Sequence, residues 1–143
     1  MPIEPLQIEK FYGPARVIEA HGSVTKGLLE KLTVTPNSRI LFKTSNSQRG
    51  YDRFYSSWDG IESDAAEYLA DMRVSLVGID WLGIKTPDAH DNQAHIALLQ
   101  RGIPILEGIN LAEVDEGEYI LSAFPVAYIG IDGAPARAVL IKQ

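Results

Sequence analysis

Val74-Ser75-Leu76-Val77-Gly78-Ile79-Asp80 is a near-continuous apolar run closed by a carboxylate. A stretch of this length without polar alternation is the pattern of a strand buried on both faces, which belongs in a parallel or mixed sheet covered by helices. The flanking sequence agrees. Upstream, Asp59 with Glu62 three residues on marks a helix start, and Ile61, Ala65, Ala66, Tyr68, Leu69 and Met72 follow at helical spacing. Downstream, a loop with Pro87 leads to a helix expected over about Asn92 to Gln100, stopped by Gly102. Ile103 to Leu106 then reads as another buried strand.

Further out the alternation continues. Arg16 to Ala20 is expected as a strand, followed by a short helix at about Thr25 to Leu32 and a turn at Pro36-Asn37-Ser38. Arg39 to Thr44 is a second strand, and a polar, aromatic loop runs from Ser45 to Gly60. The C-terminal part turns all-β. Tyr119 to Tyr128 is expected as a strand with Pro125 at a bulge or edge, Asp132-Gly133 as a turn, and Arg137 to Ile141 as the closing strand. The fold class is therefore α/β, with a parallel or mixed sheet and an antiparallel C-terminal part.

The chain has 143 residues, 45% hydrophobic and 22% charged, which suits one globular domain with a real core. It has no cysteine, so disulfides, thiolate metal sites and cysteine nucleophiles are excluded. The net charge of −6 and the scatter of its 13 basic residues argue against nucleic acid as a partner. No apolar run approaches the ~20 residues of a membrane helix. Met1-Pro2-Ile3-Glu4-Pro5 lacks a signal pattern, so a cytoplasmic location is expected. A small molecule or a protein is the expected partner.

Ligands of open α/β sheets collect at the carboxyl ends of strands, and three groups reach that edge. Asp80 closes its strand, and His95 lies in the first turn of the next helix. From His95 the helix descends about 10 Å to Gly102 at ~1.5 Å per residue. The strand from Ile103 then climbs back about 16 Å at ~3.3 Å per residue, returning Glu107 to the level of His95. An imidazole and a carboxylate at one edge can bind a metal such as Zn²⁺. Glu107 as a solvated cap and His95 as a surface residue are the alternatives. His90 is five residues from His95 and does not share its helical face. Asp91 reads as a cap, and His21 as a turn residue.

The Ser45–Gly60 loop offers a second candidate site. Ser45, Asn46 and Ser47 can hydrogen-bond, while Tyr51, Phe54, Tyr55 and Trp58 present flat apolar surface, a mixture suited to an aromatic or amide substrate. The same aromatics could equally staple a long loop to the body. There is no Gly-x-Ser-x-Gly elbow and no phosphate loop.

Several blocks of the chain resemble the cyclase family that includes bacterial kynurenine formamidase and isatin hydrolase. These are Phe11 to Ile18, Val77 to Asp80, Ala94 to Leu99, Gly102 to Leu111, Phe124-Pro125 and Gly130 to Val139. The resemblance covers nearly the whole chain, residues 1–143, as a single cyclase-like domain. It implies a swivelling β/β/α fold, usually oligomeric, in which a Zn²⁺ or Mn²⁺ centre activates water against a formamide or cyclic amide. His95 and Glu107 would stand among the metal ligands, and Ser45, Asn46, Tyr51 and Trp58 remain the substrate contacts that the loop's own composition offers.

The family's first metal motif, His-x-Gly-Thr-His-x-Asp-x-Pro-x-His, has no counterpart in Met1 to Lys10 or among the three histidines. The chain is therefore expected to be N-terminally truncated relative to the family, with an incomplete ligand set and no identifiable catalytic residue. Three expectations follow: a hydrolase completed by a second copy or a complementing chain, a non-catalytic descendant that binds a small molecule or partner, or a structural domain sharing only the fold. Loss of the N-terminal segment is also expected to leave apolar surface exposed, and hence to favour self-association.

Overall fold

In the computed structural model, which describes residues 6–142, six strands form one mixed sheet in the order β4-β3-β2-β1-β5-β6. The strands are β1 (Tyr12–Glu19), β2 (Arg39–Lys43), β3 (Leu76–Ile79), β4 (Ile105–Leu106), β5 (Gly117–Ser122) and β6 (Val139–Ile141). β1 to β4 are mutually parallel, while β5 runs antiparallel to both β1 and β6. The α/β class with an antiparallel C-terminal part is thus as the sequence reads. The helices are α1 (Lys26–Leu29), α2 (Ser63–Asp71) and α3 (Gln93–Leu99).

The four parallel strands stand in sequence order, so every crossover moves the same way across the sheet. Right-handed crossovers then put all three helices on one face. The core splits accordingly. Ile18, Ile40, Phe42, Val77 and Ile79 point to the helices and meet Leu29, Leu69 and Leu98. Their strand neighbours Val17, Leu41 and Leu76 point the other way, to Phe11, Ile109, Leu111 and Leu121. Two buried faces explain why β3 is apolar without alternation. At Gly78 a Cβ would come within 2.4 Å of Leu41 Cδ2 and 3.3 Å of Ile109 Cδ1, so the missing side chain lets the 109–114 segment lie on the sheet.

Element boundaries differ from the sequence reading in instructive ways. β1 begins four residues earlier, at Tyr12, because its first residues pair with β5 before parallel pairing with β2 starts at Ala15↔Arg39. Pro14 is tolerated where only one neighbour flanks it. α1 shrinks to one turn, capped by Thr25, whose Oγ1 accepts from Leu28 N at 3.1 Å. The strand expected over Tyr119 to Tyr128 ends at Ser122, and Pro125 survives only in an isolated bridge to Ala136.

Candidate metal and substrate site

The carboxyl ends of β2, β3 and β4 place Thr44, Asp80 and Glu107 along one edge. Asp80 is 1% exposed and accepts four hydrogen bonds: Thr44 N and Oγ1, both 2.7 Å, and Ser47 N and Oγ, 3.0 and 2.6 Å. A carboxylate enclosed by four donors is fully engaged in structure. It shapes the edge by fixing the 3-10 turn Ser45–Gln48.

His95 and Glu107 do meet. His95 Nε2 lies 3.3 Å from Glu107 Oε1, and both side chains are about one-third exposed. The up-and-down arithmetic of α3 and β4 brings them together as the sequence reading expected. Glu107 Oε1 also accepts from Ile84 N at 3.0 Å, which orients the carboxylate, and Gly108 turns the chain away in a left-handed conformation (φ +69°). The pair sits on the rim of a cavity of about 1140 Å³ on the helix-free face, walled by Phe11, Leu41, Leu106, Ile109 and Leu121.

The donor chemistry fits two positions of a mixed nitrogen and oxygen metal centre and stops there. No cluster of three or more His, Asp or Glu side chains able to hold a metal occurs among the described residues. His95 Nδ1 is enclosed and has no hydrogen-bond partner among them. A histidine that ligates through Nε2 ordinarily donates its other N–H to an acceptor, and that acceptor is absent from the described residues.

The loop candidates occupy the same edge but not the same cavity. Asn46 is 1% exposed, and its amide is matched to the Asp59 backbone, donating to O at 2.8 Å and accepting from N at 3.1 Å. Ser45 Oγ donates to the Asp59 carboxylate. Tyr51 and Trp58 both pack on Trp81, with centroids 5.9 and 6.3 Å away, and Tyr55 meets it edge-on at 5.7 Å. Trp58 Nε1 donates to Lys85 O at 2.7 Å. Burial and the Asp80 charge, in that order, raise the Tyr51 phenol above its ordinary pKa. Trp81 is the residue that sequence reasoning missed. Its one signal was a large aromatic directly after Asp80, where a buried strand emerges at the edge.

Fold and site together define an α/β protein with a histidine–carboxylate pair at the open edge of its sheet. A family model described as "Putative cyclase" matches residues 1–86, and the chain belongs to that family. Kynurenine formamidase of Salinibacter ruber is 39% identical over 140 residues, covering 96% of this chain and 66% of that protein. The Bacillus thuringiensis (strain Al Hakam) kynurenine formamidase is 33% identical over 137 residues, covering 94% and 65%. The chain thus spans about two thirds of the length of the curated relatives it matches. A solved structure described as a potential metal-dependent hydrolase with cyclase activity superposes with a TM-score of 0.88 at 34% identity, covering 96% of this chain and 68% of that one. An isatin hydrolase bound to a product analogue superposes at 0.80 with 20% identity, covering 98% and 64%, and shares the fold. No helix among the described residues is long and apolar enough to cross a membrane.

Proposed function

We propose that residues 1–143 form a single cyclase-like domain of a metal-dependent hydrolase. It would cleave an amide C–N bond in a small, aromatic formamide or cyclic amide. The observation that carries this reading is the 3.3 Å approach of His95 Nε2 to Glu107 Oε1 beside an apolar cavity, in a chain related to kynurenine formamidases. A Zn²⁺ or Mn²⁺ ion held there would activate water for attack on the amide carbonyl. His95 and Glu107 would supply two ligands, and Ile84 N–H holds the carboxylate in place for that role. The apolar walls would exclude bulk water and take the aromatic part of the substrate. Tyr51 and Trp58, mounted on Trp81, offer a second flat surface at the same edge, with Ser45 and Asn46 fixing the loop that carries them. The remaining ligands would lie outside the described residues, with a second copy or a complementing chain as candidate sources, in the cytoplasm.

One observation favours a second reading, a non-catalytic descendant that binds a small molecule or partner: the described residues hold no third ligand. Metal analysis after dialysis against trace Zn²⁺ or Mn²⁺, beside His95→Ala, separates the two. Under the hydrolase reading the native chain retains metal, the variant loses it, and hydrolysis of an aromatic formamide follows the metal. Equal metal in both proteins, or hydrolysis that persists in chelator, overturns it.

A further inference from the structure

At the opposite end of the parallel strands, where they begin, lies a second cavity of about 750 Å³. Four basic side chains line it, Lys10, Arg39, Arg73 and Arg101, against two carboxylates, Glu9 and Asp71. This local net charge of +2 stands in a chain whose overall charge is −6. The cations come from different elements: the segment before β1, the start of β2, the end of α2 and the end of α3.

Arg39 is 8% exposed, and no carboxylate bonds it. Its Nε donates to Lys10 O at 2.8 Å, Nη1 to Pro14 O at 3.3 Å, and Nη2 to Glu9 O. A guanidinium has five N–H groups, so two remain without a protein acceptor among the described residues. Burial lowers its pKa, the direction expected of a cation without an anion beside it.

Arg73 supplies an independent observation. It follows the C-cap of α2 in a left-handed conformation (φ +56°), with its N–H on Ala70 O and the next N–H on Leu69 O. Glycine is the usual occupant of that position, because a side chain there is strained. Asn37, the other left-handed non-glycine residue among those described, donates its N–H to Arg73 O at 2.9 Å and lines the same cavity. Arg101 is neutralised by Asp71 at 2.7 Å, whereas the Arg73 guanidinium makes no bond to any described residue. Arg73 is an exposed arginine standing where glycine would be less strained, with its charge unmatched among the described residues, and is therefore free to take an anion at the mouth of this cavity.

We propose that this cavity binds a small phosphate-bearing anion, held by Arg73 and by the unfilled donors of Arg39. The net +2 matches a phosphate dianion: Arg101 is taken by Asp71 and the Lys10 ammonium donates to Gly102 O, which leaves Arg39 at the start of β2 and Arg73 at the end of α2 to offer donors. This proposal stands apart from the hydrolase reading, since the site lies at the other end of the sheet.

The test is calorimetric titration and thermal melting of the whole chain with inorganic phosphate, with succinate, and with sodium chloride at matched ionic strength. Phosphate is expected to raise Tm above both controls. Arg73→Gln is expected to weaken the phosphate Kd about tenfold, as loss of one charge-assisted contact should. Arg73→Gly is expected to melt higher than the native chain without phosphate, yet lose the response, which separates lost binding from lost folding. A phosphate response no larger than that of chloride, an equal response to succinate, or an unchanged Kd in Arg73→Gln overturns the proposal.

Discussion

Thr44 and Asp80 join the carboxyl ends of β2 and β3: the N–H and hydroxyl of Thr44 each donate to a different oxygen of the Asp80 carboxylate, both at 2.7 Å. Ser47 completes the set from the following turn. Because Phe42 pairs with Ile79, the parallel register puts Asp80 level with Lys43, one residue short of Thr44 and within reach of its N–H and hydroxyl. This clasp sets the start of the loop that carries Tyr51, Tyr55 and Trp58 onto Trp81.

Asp80→Ala should therefore destabilise the chain by about 3 kcal/mol, since it strands the Thr44 N–H and two hydroxyls that now bond an ionised acceptor and leaves Ser47 N–H only its 3.3 Å bond to Thr44 O. Thr44→Val should cost less, about 1–2 kcal/mol, because the Thr44 N–H bond to Asp80 survives while Asn46 N–H loses Thr44 Oγ1 as its acceptor. Urea unfolding, compared at constant m, reads both. Equal stability of Asp80→Ala and native protein would dismiss the clasp.

Glu107 has two separable roles. Glu107→Gln keeps an oxygen for Ile84 N–H and removes the charge, so metal retention should fall while the unfolding midpoint stays close to native. Glu107→Ala removes both and leaves the N–H of fully buried Ile84 unpaired, which should cost a further ~1–3 kcal/mol. Parallel metal analysis and urea unfolding of the two variants distinguish the roles.

Gly78→Ala is expected to destabilise by about 1–3 kcal/mol through overpacking, since the new methyl meets Leu41 at 2.4 Å where Leu41 is itself 1% exposed. A compensating Leu41→Ala should recover little, as it opens a cavity beside Ile109. Denaturant midpoints of the single and double variants give the coupling between the two positions.

The raised Tyr51 pKa has a consequence at alkaline pH. Below the ordinary phenol value of 10.0 the group is neutral both folded and unfolded, and its contribution to stability is intact. As pH rises past that value the unfolded chain ionises first, so stability falls through the folded-state pKa. Melting temperatures from neutral to alkaline pH should show a decline that is shallower in Tyr51→Phe. An ultraviolet titration should show one tyrosinate forming late, absent from that variant.

Local chemistry alone fixed much of this protein. Apolar runs named the parallel strands, helical spacing named α2 and α3, and the lengths of α3 and β4 placed His95 opposite Glu107. Those signals are legible because rise per residue and side-chain periodicity act along the chain. What lay beyond the sequence depended on contacts between distant segments. Tyr12 to Pro14 became strand only because β5, more than a hundred residues away, pairs with them. Asn46 looked like a substrate contact, yet its amide is matched to the backbone of Asp59. Trp81 became the centre of an aromatic cluster because the edge loops converge on it, and Arg39 and Arg73 came to share a cavity because four separate elements begin or end there. Burial and hydrogen-bond partnership are properties of neighbours in space, and only the folded sheet decides which neighbours those are.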